Sequence, residues 1–244
     1  MTESNIFMEL SFDGTSYAGW QIQPETPTVQ GMIQQVLTQI NANTPVEITG
    51  CGRTDAGVHA HRFYIHFTLD ESRVGNLVYR MNKMLPSDIK IHALLPLVGF
   101  RHARFDATRR TYRYFISKEK SPFLDRYRWV MPLPLDVTNM NKASEMLLGN
   151  QDFASFAKAH SDVKTTICTV YHAFWTETET DYVFEVCANR FLRNMVRAMV
   201  GTLVEVGLGK LSLPELAEII HKKSRQEAAV SVPARGLFLW EVEY

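Results

Sequence analysis

Two apolar, strand-like runs between residues 46 and 69 are broken by Gly50, Gly52 and Gly57, and a regular strand does not continue through such a segment. Residues 46–49 read as a short strand running into the break. On its far side Phe63, Ile65, Phe67 and Leu69 alternate with Arg62, Tyr64, His66 and Thr68, which predicts a strand buried on one face. The chain therefore turns over residues 50–60, and that turn carries Arg53, Asp55 and His59. Glycine lets the backbone enter conformations closed to other residues and lets another group approach closely. Asp55-Ala56-Gly57 fits an ordinary turn, and it equally fits a turn that aims a carboxylate into a cleft; the segment alone allows both.

The flanking patterns set the fold class. Residues 6–12 read as a strand that stops at Asp13-Gly14, and the loop after it carries Tyr17, Trp20 and Gln21, which either fold back on the core or serve a ligand. From Thr28 the residues Val29, Met32, Ile33, Val36, Leu37 and Ile40 follow a helical stripe. A second helix spans Val74, Leu77, Val78, Met81 and Leu85 and is halted by Pro86; a strand follows over residues 89–95. The order strand, helix, strand, strand, helix, strand predicts an α+β layer with helices on one face of a mixed, largely antiparallel sheet.

In the second half, Tyr112, Tyr114 and Ile116 alternate with Arg113, Phe115 and Ser117 in a strand that interleaves aromatic and cationic side chains. Thr138 is the expected cap of a helix running through Leu148, and strands follow around residues 167–175 and 182–188. A helix expected directly after Asn189 places Leu192, Met195, Val196, Met199, Val200 and Leu203 on one stripe and Arg190, Arg193 and Arg197 on another. Ser212-Leu213-Pro214-Glu215 reads as a capping box, and the chain ends in a strand. The length suits two α/β sub-domains facing a cleft, residues 1–100 with the Asp55 loop and residues 101–244 with the aromatic strand and the arginine helix.

Charge is balanced, 26 basic against 26 acidic residues, so any polyanion partner has to be read from local clustering. Residues 101–128 hold nine Lys and Arg against three Asp and Glu, a surplus of six. With the interleaved tyrosines this suits a phosphate backbone and a stacked base, or else a solvated strand edge guarded by charge. Cys51, Cys168 and Cys187 are widely spaced, which argues against a disulfide framework and fits a cytoplasmic setting. The polar segment of residues 1–5 has no apolar signal region, and no stretch is long enough for a membrane span. His59 and His61 could offer two metal ligands, but no further ligand stands at a recognised spacing, so no metal is expected. The chain has no Walker A loop, no G-x-G-x-x-G and no G-x-S-x-G elbow, so nucleotide triphosphate use, dinucleotide binding and serine hydrolysis lack their expected signals.

The run Gly52-Arg53-Thr54-Asp55-Ala56-Gly57-Val58-His59-Ala60 closely resembles the signature of tRNA pseudouridine synthases of the A family. Further matches lie along the whole chain: Tyr-Ala-Gly-Trp-Gln from Tyr17, His-Ala-Arg-Phe from His102, Tyr-Arg-Tyr from Tyr112, Asp-Phe-Ala-Ser-Phe from Asp152, Met-Val-Arg from Met195 and Gly-Leu-Phe-Leu from Gly236. The resemblance implies a cofactor-free isomerase that converts uridine to pseudouridine in the anticodon stem-loop of tRNA, at positions 38, 39 or 40. It also implies two α/β domains sharing a sheet, a basic cleft between them, and a cytoplasmic homodimer. It makes Asp55 the essential carboxylate, Arg197 its positive partner, Tyr112 the ring that stacks on the flipped uracil, and Arg53 the residue that helps hold the nucleotide out of its stack. Arg110, Arg190 and Arg193 are then expected on RNA phosphates. Two other classes remain in view: an RNA-binding module without activity, against which the joint presence of Asp55, Tyr112 and Arg197 argues, and a metal-dependent hydrolase built on His59 and His61.

Overall fold

The computed structural model describes residues 3–95, 101–158 and 164–244; Met1 and Thr2 of the polar N-terminal segment, and the expected division after residue 100, lie outside them. The chain is α+β, with ten strands and five α-helices among the described residues. It divides into two compact units, one of residues 1–108 with 239–244 and one of residues 109–238.

The first unit runs β1 (Glu3–Phe12), α1 (Val29–Ile40), β2 (Thr49–Gly50), β3 (His59–Asp70), α2 (Leu77–Met84) and β4 (Ile89–Leu95). β1 lies between β4 and β3, antiparallel to both, and β2 adds on β3. The register Met8 to Ile65 and Leu10 to Phe63 puts these four apolar side chains into the core, where all are fully buried. Each contributes about 1.5–3 kcal/mol of burial. Thr28 caps α1 by accepting from the Gly31 N–H, and the helix buries Val29, Ile33, Val36, Leu37 and Ile40, the stripe expected from the sequence except for Met32, which is half-buried. A register shift between Leu10 and Phe12, opposite the start of β3, falls just where the Asp55 loop rejoins the sheet.

The second unit runs β5 (Arg109–Ser117), β6 (Trp129–Val130), α3 (Val137–Glu145), β7 (Gly149–Asp152), β8 (Ile167–Glu177), β9 (Asp181–Ala188), α4 (Met195–Gly207) and α5 (Leu213–Lys222). β5, β9, β8 and β7 pair antiparallel in that order, while β6 joins β5 in parallel, so the sheet is mixed. β10 (Leu237–Glu243) closes the chain, its last residues returning to the first unit, where the Arg62 Nη1 donates to Glu241 at 3.2 Å. The predicted capping box of α5 is present, with Ser212 and Glu215 each serving the other's backbone. No helix among the described residues is long and apolar enough to cross a membrane.

Four local expectations are corrected. Residues 46–48 are not in a strand; Val46 and Ile48 are buried from a non-strand segment, and only Thr49 and Gly50 join the ladder. α2 begins at Leu77, because Asn76 takes a left-handed conformation before it. α3 is capped by Asp136 rather than Thr138, with the carboxylate accepting from the Asn139 N–H at 2.9 Å, and it ends at Glu145. The largest departure is α4, which starts at Met195 because Asn194 sits at φ 67°, a value asparagine tolerates and a helix does not. Arg190 and Arg193 therefore lie in the segment before the helix, and no ridge of three arginines runs up it.

Candidate active site

The loop between β2 and β3 is stapled where it leaves the sheet: Cys51 N–H donates to the Tyr64 carbonyl at 2.8 Å. Within it the Val58 N–H closes a turn on the Asp55 carbonyl at 3.1 Å, with Gly57 at φ 77° in the position that demands positive φ. A second loop lies against this one. Trp20 N–H donates to the Thr54 carbonyl at 3.2 Å and Gly57 N–H donates to the Tyr17 carbonyl at 3.3 Å, so main-chain bonds grip both sides of Asp55. Asp55 is half-buried, Arg53 is exposed and Thr54 is buried.

The aromatic residues of that second loop are supports and not ligands. Trp20 is buried with its ring 4.1 Å from Phe63, and Tyr17 is buried with its hydroxyl donating to Asp88 at 2.7 Å. Burial, followed by Asp88, pushes the Tyr17 phenol well above its ordinary range. Gly19 makes the approach of the two loops feasible: at φ 98° it faces the Asp55 loop, and a Cβ there would stand 2.4 Å from the Thr54 carbonyl oxygen. Gly19→Ala is accordingly expected to destabilise the fold by about 2 kcal/mol or more, combining left-handed strain with a backbone clash. Urea unfolding would measure it, and a midpoint equal to that of the parent chain would show that the loops separate without cost.

His59 and His61 do not form a ligand pair. His59 is buried and its Nδ1 accepts from the Gly14 N–H at 3.0 Å, whereas His61 is exposed and stacks on Trp240 at 4.3 Å. No group of three His, Cys, Asp or Glu among the described residues could hold a metal ion.

In the second unit Tyr112 shares the core-facing period of β5 with Tyr114 and Ile116, but it sits half-buried near the strand's start, edge-on to Phe191 with ring centres 5.0 Å apart. Arg110 donates through Nη1 to the Asn189 carbonyl at 3.0 Å. Arg193 is exposed, and its carbonyl accepts from Lys158 N–H at 3.0 Å. Arg190 stands close enough to Cys168 to oppose the burial that pushes that thiol up to about 11. Arg197 lies in the first turn of α4, where its Nε donates to the Val232 carbonyl at 2.7 Å, fixing the plane of the guanidinium. The adjoining segment is held by Tyr114, whose hydroxyl donates to the Pro233 carbonyl at 2.8 Å and whose ring leaves no room for a side chain at Gly236.

The tRNA pseudouridine synthase family model matches residues 143–244. The chain is 46% identical over 98% of its length to tRNA pseudouridine synthase A of Parabacteroides distasonis, covering 95% of that protein. It is 46% identical over its full length to the Bacteroides fragilis protein of that name, covering 98% of it, and 42% identical to the one from Chlorobaculum tepidum, covering 99%. The chain belongs to the tRNA pseudouridine synthase A family. Among solved structures, the Cbf5-Nop10-Gar1 complex aligns with 82% of this chain and 54% of that one at 15% identity and a TM-score of 0.31, a likeness too slight to add to the assignment.

For a member of this family the basic stretch needs correction. Arg113 is paired with Glu185 at 2.6 Å, Lys118 with Glu177 at 2.7 Å and Arg128 with Asp181 at 2.7 Å, so acids of β8 and β9 offset three of the cations that the local count treated as surplus. Arg109 lies over the Tyr171 ring at 4.5 Å. Arg113 points across to β9 because residues 113 and 185 are direct register partners, a relation that no local charge count contains. A further residue received no role of its own in the sequence reading. Phe105, inside the His-Ala-Arg-Phe match, is 75% exposed, and the signal available was an aromatic residue beside Arg104 in a polar loop.

Proposed function

We propose that this family member isomerises uridine to pseudouridine at positions 38, 39 or 40 of the tRNA anticodon stem-loop, as a cytoplasmic homodimer without a cofactor. The observation that carries the reading is the Asp55 turn, gripped on both sides by main-chain bonds from the Gly19 loop, in a chain that its family relatives match over its full length. Rigid placement of one carboxylate is what a reaction limited by geometry requires. The reaction breaks the C1′–N1 bond, turns the uracil and joins C1′ to C5; C5 loses a proton and N1 gains one, so no redox partner is consumed. Asp55 serves as nucleophile on the nucleotide or assists a glycal route.

In this reading the first unit carries the catalytic loop and Arg53, which holds the nucleotide out of its stack, and the second carries Tyr112, Arg197 and the phosphate contacts. Tyr112 stacks on the flipped uracil and assists removal of the C5 proton. Arg197 balances the Asp55 carboxylate, a role that one guanidinium can perform with two parallel hydrogen bonds. Arg110, Arg190 and Arg193 take phosphates. Tritium release from unmodified tRNA labelled at uridine C5 tests the whole, because chemistry at C5 frees the label; a folded, tRNA-binding protein that releases none would be a binding module instead.

The ion pairs sharpen an expectation about salt. Affinity for tRNA should fall steeply with salt, and Arg193→Gln should reduce the slope of log K against log salt by about one. Arg113→Gln should leave the slope nearly unchanged, since its charge is already answered by Glu185. Fluorescence titrations at three salt concentrations would separate the two, and equal slopes for both variants would contradict the assignment of Arg193.

A further inference from the structure

Residues 102–106 form a loop that bonds to itself. His102 N–H donates to Asp106 Oδ2 at 2.8 Å, Asp106 N–H returns to the His102 carbonyl at 3.1 Å, and the N–H groups of Arg104 and Phe105 both donate to His102 Nδ1, at 3.2 and 3.1 Å. The sheet anchors it from below: His66 Nδ1 accepts from Ala103 N–H at 3.0 Å, and the Tyr244 hydroxyl donates to the Ala103 carbonyl at 2.7 Å. Burial, and after it His102, holds the His66 imidazole below its ordinary value, which keeps Nδ1 available as an acceptor. Ala103 is the buried member of the loop, and Arg104 and Phe105 point outward.

This much bonding spent on an exposed phenylalanine has no return in the core. The Phe105 ring is 75% exposed, backed on one side by the His102 ring at 4.2 Å and 29°, with the Arg104 guanidinium 5.8 Å from its centre. Arg104 also forms a wall of a cleft of about 180 Å³, whose other walls include Gln21, Gly50, Gly52 and Arg53. A side chain at Gly52 would meet nothing within 4 Å, so the cleft is open on that side. A fixed aromatic face, a cation beside it and a polar recess next to both are the elements of a single-strand nucleotide site, where the face takes a base and the cation its phosphate.

We propose that Phe105 and Arg104 form a second nucleotide site, which stacks the base and holds the phosphate of an unpaired RNA residue other than the one isomerised. The proposal rests on the function proposed above. Arg53, which also lines the cleft, places this site beside the Asp55 loop within the first unit. Two cations at the recess favour a polyanion over a second copy of this chain, which has no net charge.

The test uses the full-length chain and an unmodified tRNA transcript. Phe105→Ala and Phe105→Leu should each weaken binding about tenfold, the order of one stacked base, with no change in salt slope. Phe105→Trp should bind at least as well as the parent chain. Arg104→Gln should reduce the salt slope by about one. Because the ring is exposed, thermal unfolding of the Phe105 variants should match that of the parent. Leucine binding as well as phenylalanine would overturn stacking, and so would a Phe105→Ala variant that keeps its affinity while sedimentation shows its oligomeric state altered. Tritium release by the parent chain is measured alongside: if it is absent, the proposed function fails, whereas release with unaltered binding by Phe105→Ala sinks this site alone.

Discussion

Asp55→Asn is expected to bind tRNA with the affinity of the parent chain and to release tritium at least about a thousandfold more slowly, a loss of about 4 kcal/mol in transition-state stabilisation. The substitution is close to isosteric, and main-chain bonds of residues 54, 55 and 57 shape the loop, so the turn should persist. What disappears is the charge. An amide neither attacks a sugar carbon nor takes a proton from it, and none of the surrounding main-chain bonds can substitute. Asp55→Glu should fail almost as badly, since the same gripped backbone that positions the carboxylate also prevents the loop from yielding to an extra methylene. Single-turnover tritium release with circular dichroism on the same samples decides the matter. Release by folded Asp55→Asn within tenfold of the parent rate would remove Asp55 from the chemistry.

How far the sequence could reach depended on whether a feature was local. The Asp55 turn was legible because Gly57 must supply the positive φ within four residues of the carboxylate, and the stripe of α1 because five buried positions repeat at helical spacing. The burial of Tyr17 and Trp20 was not, since it depends on Asp88 and Phe63, which lie far along the chain. The arginine ridge failed for a different reason. Leu192, Met195 and Met199 do repeat at helical spacing and Leu192 is indeed buried, yet the left-handed Asn194 interrupts the helix between them, and periodicity cannot register a single residue's φ. The basic surplus failed because the answering acids Glu177, Asp181 and Glu185 stand more than fifty positions away, on strands that the register brings alongside. For the two loop aromatics and the basic surplus, the partner that decides the outcome lay outside the window.

Arg197→Lys is expected to slow single-turnover isomerisation by about 10- to 100-fold, or about 1.4–2.7 kcal/mol, while leaving tRNA affinity and its salt slope close to those of the parent chain. Removing Arg190 and Arg193 from the helix strengthens this separation of roles: Arg197 alone of the three stands on α4, half-buried, with its guanidinium oriented by the Nε bond to Val232. A phosphate contact needs reach and exposure, which Arg193 has; a partner for a carboxylate needs a fixed plane, which the Val232 bond supplies. Lysine keeps the charge but offers neither the Nε donor nor the planar pair of terminal donors, so the Val232 carbonyl loses its bond and the proposed partnership with Asp55 loses its orientation. Arg197→Gln, which discards the charge as well, should be slower still. If Arg197→Lys instead kept its rate at saturating tRNA and bound with a salt slope smaller by about one, Arg197 would be a phosphate contact and the carboxylate's partner would have to be sought elsewhere.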